Sequence, residues 1–290
     1  MITHPEKLLF PSDGITKGDL AAYYEAVAPV MLPHLRARPV TMERYPAGID
    51  AEGFMHKSVA RGFPAWLERV DVPKKGGVVH YPLVTDERSL LWMANQNCIT
   101  PHVWISRVPD LMHPDICVFD LDPSHDEPDA LRTAALALRT LLDEVGLPSW
   151  PKTSGSKGFH IVVALDGRSD IGRVGRFAHT VGSLLVQRYP ELLTQEFSKA
   201  DRGGRILVDT GRNGFGATFA ATYAVRARPG APVSAPCSWV EVERGLVQPR
   251  TFTLRTMRAR LADVGDLWAD LPALPLEPAI DALRALVPEQ

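Results

Sequence analysis

The sequence predicts a mixed α/β (α+β) fold. Three observations predict it: an apolar strand-like run at 116–122, an amphipathic helix directly after it at 128–145, and a second strand–helix pair at 159–189. Strands alternating with helices give this class because each apolar sheet face must be buried against another layer.

The elements follow in chain order. Residues 5–15 read as a loop or short strand ending in the turn cluster Pro11-Ser12-Asp13-Gly14. Thr16 caps a helix with Asp19 as its capping-box partner. Leu20, Tyr24, Val27 and Met31 recur at helical spacing, and Pro33 is expected to end the helix. Short strand-like pieces are expected over 39–57, around Val40–Tyr45, and a strand over 78–84, with a helix from Asp86 to Asn95. Ile116–Asp122 is an apolar run ending in acids and closed by Pro123, which reads as a buried strand. From Pro128 to Val145, Leu131, Ala134, Ala135, Leu138 and Leu142 form one stripe, and Gly146 stops the helix. A strand over 159–165, a helix over 171–189 and a strand over 205–209 follow. Residues 250–263 read as a basic helix, and 271–290 as a Pro/Leu-rich tail. With neither an internal repeat nor a low-complexity linker, residues 1–290 read as a single domain.

Bulk properties narrow the function. The chain is 45% hydrophobic, enough for a sizeable core. It holds no apolar run of roughly 18 residues or more, so no membrane span is expected. The first residues lack the basic-then-apolar order of a signal peptide. Cys98, Cys117 and Cys237 show no metal-ligand spacing and read as reduced core residues of a cytoplasmic protein. The formal net charge of −2 does not announce nucleic-acid binding. Between Lys199 and Arg228, however, six basic residues (Lys199, Arg202, Arg205, Arg212, Arg226, Arg228) face two acids. Such a stretch can line a phosphate-binding groove or form an ordinary solvated face.

Three segments carry chemistry. Asp120 and Asp122 are two apart on a predicted strand, so their carboxylates project from one face. Like charges at that spacing repel unless a cation lies between them, and hard divalent ions take oxygen ligands. A pair of exposed loop acids is the plainer alternative, but the preceding apolar run implies partial burial. Asp209 ends a second apolar strand, Ile206-Leu207-Val208. A third carboxylate is what a two-metal site needs. Between these strands lies Lys152-Thr153-Ser154-Gly155-Ser156-Lys157-Gly158-Phe159-His160. Its small residues let backbone amides approach a phosphate, with Ser154, Lys157 and His160 as donors. It is not a P-loop, since GxxxxGK[ST] is absent and the loop precedes a strand.

Taken together, Phe119-Asp120-Leu121-Asp122-Pro123-Ser124, Thr153 through His160, and Ile206 through Asp209 resemble the three motifs of the archaeo-eukaryotic primase superfamily. The match is closer to the polymerase domain of bacterial ligase D. The likeness extends to Lys7-Leu8-Leu9-Phe10-Pro11, Thr16-Lys17-Gly18-Asp19, Arg44 through Gly48, Phe54-Met55-His56-Lys57, His102 through Arg107, Ala221 through Ser234, and Phe252 through Trp268. It covers about residues 5–270, in order.

The resemblance implies a primase-polymerase fold, an RRM-like catalytic sheet fused to an N-terminal α/β unit. It implies two Mn²⁺ or Mg²⁺ ions on Asp120, Asp122 and Asp209, which would be catalytic. Ser154, Lys157, His160 and Arg226 would hold an NTP or dNTP, often with ribonucleotide preference. Lys7, Lys17 and Lys57 would bind the 5′-phosphate of gapped or broken DNA, and Phe63 would stack on the template. Gap filling or non-homologous end joining is the implied role, with Ku and a separate ATP-dependent DNA ligase as partners and the nucleoid as its place of action. No ligase lysine motif or phosphoesterase histidine cluster is visible, so a stand-alone or excised polymerase is expected. Three departures bear on substrate detail: Asn97 where relatives usually have Gly, Thr100 where they often have Glu, and Thr210-Gly211 after the third Asp.

Two rivals remain open on sequence. Asp120 and Asp122 also resemble the nucleophile loop of haloacid-dehalogenase-type phosphatases, with Asp120 attacking phosphorus. That reading needs a downstream acidic pair. A non-catalytic DNA-end-binding module is the other.

Overall fold

The computed structural model describes residues 2–59 and 63–286. β1 (Leu8–Phe10) and β2 (Ile15–Thr16) pair antiparallel around the predicted turn. α1 (Lys17–Leu35) begins with the expected capping box, Thr16 Oγ1 accepting from Asp19 N at 3.1 Å. It does not stop at Pro33, which lies inside it. The ring removes one backbone donor, but Arg36 N still donates to the Leu32 carbonyl at 2.9 Å, and Leu35 is sealed in the core.

β3 (Val40–Arg44) and β4 (Phe54–His56) match the expected strands of 39–57. β5 (Arg69–Lys74) and β6 (Gly77–Pro82) form a hairpin anchored by Val72 and Tyr81 against Trp104. β5 is missed on sequence because its charges and Pro73 blur the alternation. α2 (Glu87–Asn95) matches the expected helix, and the structure adds a capping box at Asp86, whose side chain accepts from Ser89 N. β7 (Cys98–Val103), also unread, completes the antiparallel order β3–β7 and β3–β4. Asn97, just before β7, has φ +56°, the left-handed conformation that Gly or Asn tolerates.

β8 (Ile116–Asp122), α3 (Pro128–Glu144), β9 (Trp150–Thr153), β10 (Phe159–Ala164), α4 (Ile171–Arg188), β11 (Leu193–Thr194) and β12 (Ile206–Asp209) build the second unit. Its five-stranded sheet runs β11-β12-β8-β10-β9 and is antiparallel except for β11–β12. α3 and α4 pack on each other and on β8, and every residue of the predicted α3 stripe is buried. Alternation splits β8 into two faces. Cys117, Phe119 and Leu121 are fully buried, while Asp120 and Asp122 stand on the other side.

β13 (Phe219–Ala220) adds to the edge of the first sheet beside β7. β14 (Ala224–Val225) pairs with β15 (Val233–Ser234). After α5 (Trp239–Glu243) the basic segment is helical only over α6 (Met257–Val264). The Pro/Leu-rich stretch after it carries α7 (Glu277–Leu286), with Ala279 and Leu283 buried. Leu274 bridges to Leu165. Cys98, Cys117 and Cys237 are free and buried, as expected.

Candidate active site

Strand register assembles the site. Across the central sheet, Lys152 pairs with His160, His160 with Asp120, and Asp120 with Asp209. Cross-strand partners share a face, so these four side chains form one row over β9, β10, β8 and β12. Asp122 stands two residues along β8 from Asp120 on that face. The three acids, separated by up to 89 positions in the chain, are thus brought together. They open into a cleft of about 490 Å³ lined also by Ser154, Lys157, His160, Lys199, Arg202, Arg212 and Arg226.

The acids are held by arginines. Arg212 spans two of them, with Nε 3.4 Å from Asp120 Oδ2 and Nη2 3.2 Å from Asp209 Oδ2. Arg202 Nη1 donates to Asp122 Oδ2 at 3.0 Å. Gly211 N donates to Asp209 Oδ1 at 2.8 Å, which a side chain on that glycine would crowd. Burial pushes the Asp120 carboxyl up to about 6; Arg212 and Arg226 oppose this, and Asp209 and Asp122 reinforce it. Among the described residues, no three His, Cys, Asp or Glu side chains converge to hold a metal ion.

The Ser154–Gly158 loop is built by its own backbone. Ser154 Oγ accepts from the amides of Ser156 and Gly158, both at 3.1 Å. With both lone pairs occupied, its O–H is left to donate into the cleft. Gly155 has φ +65° and packs against Arg226, while Gly158 lies flush on the Leu121 carbonyl between the two β8 acids. Lys157 is exposed at the rim. Arg226 Nη1 donates to Ser154 O at 2.6 Å. His160 is 3% exposed, its Nε2 3.6 Å from Asp120 Oδ1. Burial, with Lys152 and Arg226 nearby, holds its imidazole well below the usual histidine range.

The sequence reading missed an adjoining pair. His102 Nε2 lies 3.1 Å from Glu43 Oε2, and Tyr45 Oη donates to Glu43 Oε1 at 3.0 Å. Burial raises Glu43, but His102, Arg226 and Tyr45 outweigh it and draw the carboxyl down to about 2. Polar residues two apart inside the strands, Thr41 and Glu43 on β3, Thr100 and His102 on β7, were the signal available. Thr100 itself donates to the Val225 carbonyl at 2.8 Å, tying β7 to β14. Arg202 and Arg212 were read only as members of a basic stretch.

The remaining candidates lie apart from this cleft. Lys17 is 3% exposed and donates to Thr3 Oγ1 at 3.3 Å. Burial and the nearby Lys7 push its ammonium below the usual lysine range. Lys7 donates to the Pro46 carbonyl, and Lys57 is exposed just past β4. Among the described residues, none of the three has a carboxylate within ion-pair distance. Phe63 is half-buried between His56 and Trp92, at 5.5 and 5.0 Å between ring centroids.

Residues 16–268 match the family model of the LigD primase-polymerase domain. The multifunctional non-homologous end joining protein LigD of Mycolicibacterium smegmatis is 35% identical over 277 residues, covering 94% of this chain and 36% of that protein. LigD of Pseudomonas aeruginosa is 36% identical over 275 residues, covering 93% of this chain and 32% of that protein. The chain thus spans about a third of the length of these relatives. A solved structure, the polymerase domain of Mycobacterium tuberculosis ligase D in complex with DNA, superposes with TM-score 0.87 at 34% identity, covering 94% of this chain and 99% of that one. Asp209 is followed by Thr210 and Gly211, so the acidic pair required by the phosphatase reading is missing at that strand end. The chain belongs to the LigD primase-polymerase domain family.

Proposed function

We propose that this chain extends 3′-OH ends of gapped or broken DNA with NTPs or dNTPs, copying a template, in bacterial end-joining repair. One observation carries the reading: the cross-strand row that sets Asp209 beside Asp120, with Asp122 two residues along, against the Ser154–Gly158 loop. Carboxylate oxygens are the donors hard divalent ions take, and Arg212 and Arg202 supply the positive charge that such ions would replace. Asp120, Asp122 and Asp209 fit two Mn²⁺ or Mg²⁺ ions once those guanidiniums release them. Bound there, the ions would activate the attacking hydroxyl and stabilise the leaving pyrophosphate.

The chain's own residues do the rest. The Ser154 hydroxyl, the Lys157 ammonium, the His160 imidazole and the Arg226 guanidinium bind the triphosphate and orient its α-phosphorus toward the primer end. The primer oxygen bonds to that phosphorus, its proton passes to solvent, and pyrophosphate leaves. Arg212, displaced from Asp120 and Asp209, is placed to follow the negative charge onto the phosphates. Lys7 and Lys17, with Lys57, take the 5′-phosphate across the gap, and Phe63 meets the template strand. Ku and a separate ATP-dependent ligase would complete the repair on the nucleoid, in the cytoplasm. Among the described residues, no helix is long and apolar enough to cross a membrane.

The test is primer extension on gapped, 5′-phosphorylated DNA with Mn²⁺ and NTPs. The wild-type chain extends; Asp120→Ala and Asp122→Ala do not, yet still bind DNA. Extension surviving in the double variant refutes the proposal.

A further inference from the structure

Among the described residues, no hydrogen bond fixes the His160 ring. Its Nδ1 is buried without a partner among the described residues, and its Nε2 stands 3.6 Å from the Asp120 carboxylate. Catalytic and ligating histidines are ordinarily oriented through the second ring nitrogen. Here orientation falls to packing, and the ring packed on it is Phe219, edge-on at 5.8 Å and 80°.

Phe219 is held in turn by Lys152. Lys152 is fully buried on β9, directly cross-strand from His160. Its ammonium lies 4.7 Å from the Phe219 ring centroid and donates to the Ala220 carbonyl next along β13. No carboxylate lies within ion-pair distance of it among the described residues. A buried ammonium held by one carbonyl and a ring face is costly, and burial, with Arg226 nearby, pushes it well below the usual lysine range against the opposing charge of Asp120. It also bridges two sheets, since β9 belongs to the catalytic sheet and β13 to the edge of the other.

We propose that Lys152 is a positioning residue for His160, acting through the Phe219 ring clamped between them. The inference rests on the reading that His160 orients the incoming triphosphate. Lys152 never touches substrate; it fixes where the imidazole points and how closely β13 lies against the cleft.

The experiment is a double-mutant cycle on the KM for NTP in extension of gapped DNA, using Lys152→Met, His160→Ala and the double variant. Circular dichroism and urea unfolding report whether each variant is folded. Lys152→Met should raise KM about tenfold with a much smaller change in kcat, and should add nothing in the His160→Ala background. A merely structural lysine would act additively, and additive effects overturn the proposal. Where Lys152→Met does not fold, Phe219→Leu must show the same non-additivity with His160→Ala; an unchanged or additive KM there also overturns it. Wild-type protein that fails to extend overturns the functional reading and this inference with it. Wild-type extension with an additive cycle overturns this inference alone.

Discussion

Replacing Gly158 by alanine tests how tightly the phosphate-loop candidate is fitted to the acids. A Cβ built on Gly158 would lie 1.6 Å from the Leu121 carbonyl oxygen and 2.8 Å from its carbon. Real Cβ atoms keep about 3.0 Å from such atoms, so loop and β8 must part by about 1.4 Å. Leu121 is the residue between Asp120 and Asp122, and its own side chain is locked in the core. The displacement therefore falls on the two acids and on the amide that Gly158 gives Ser154 Oγ. Overpacking of this kind costs roughly 1–3 kcal/mol of stability. Misplacing reacting groups by about 1 Å costs about a hundredfold in rate. Gly158→Ala should thus stay folded in urea titrations with a lowered midpoint, while kcat/KM for extension falls about a hundredfold. Gly175→Ala in α4 is the control, because its Cβ meets only the Asn213 carbonyl at 3.4 Å. Extension by Gly158→Ala within about threefold of wild type, at unchanged stability, would refute the steric reasoning.

Other predictions follow from the same geometry. Glu43 is held near 2 against an ordinary 4.5, so its stabilising contribution is present above 4.5 and is lost as pH falls toward 2. Glu43→Gln should flatten the acid limb of stability in that window by up to about 3 kcal/mol, measured by urea unfolding at successive pH values; an unchanged limb contradicts it. Lys17→Ala should weaken binding to gapped DNA carrying a 5′-phosphate by roughly tenfold, and binding to unphosphorylated DNA far less; equal losses count against the pocket. The logarithm of DNA affinity should fall linearly with log salt, and Lys17→Ala should shallow that slope by about one on phosphorylated DNA.

Much of the fold was legible where one physical signal dominated. The capping box at Thr16 and the α3 stripe set a helix start and a buried face, as the structure has them. β8, β10 and β12 were legible because an apolar run delivering one or two polar residues at an end reads as a buried strand with a functional end. Strands β5, β7 and β9 were not. Pro73, Pro101 and Pro151 interrupt their patterns, and their pairing is decided by neighbours distant in sequence. The three acids could be listed from sequence, but not their register, which only the β12–β8 pairing fixes. The roles of Arg202 and Arg212 were invisible for a related reason: a basic stretch does not say which carboxylate each guanidinium meets.

The proposed function requires joint possession of divalent cations by Asp120, Asp122 and Asp209. Mn²⁺ titration followed by electron paramagnetic resonance, with and without NTP, measures it without requiring turnover. Two ions should bind the wild-type chain in the presence of NTP, and Asp209→Ala should lose binding as Asp120→Ala does. Unchanged stoichiometry and affinity in Asp209→Ala would show that its carboxylate, though beside Asp120 in the sheet, takes no part in holding metal.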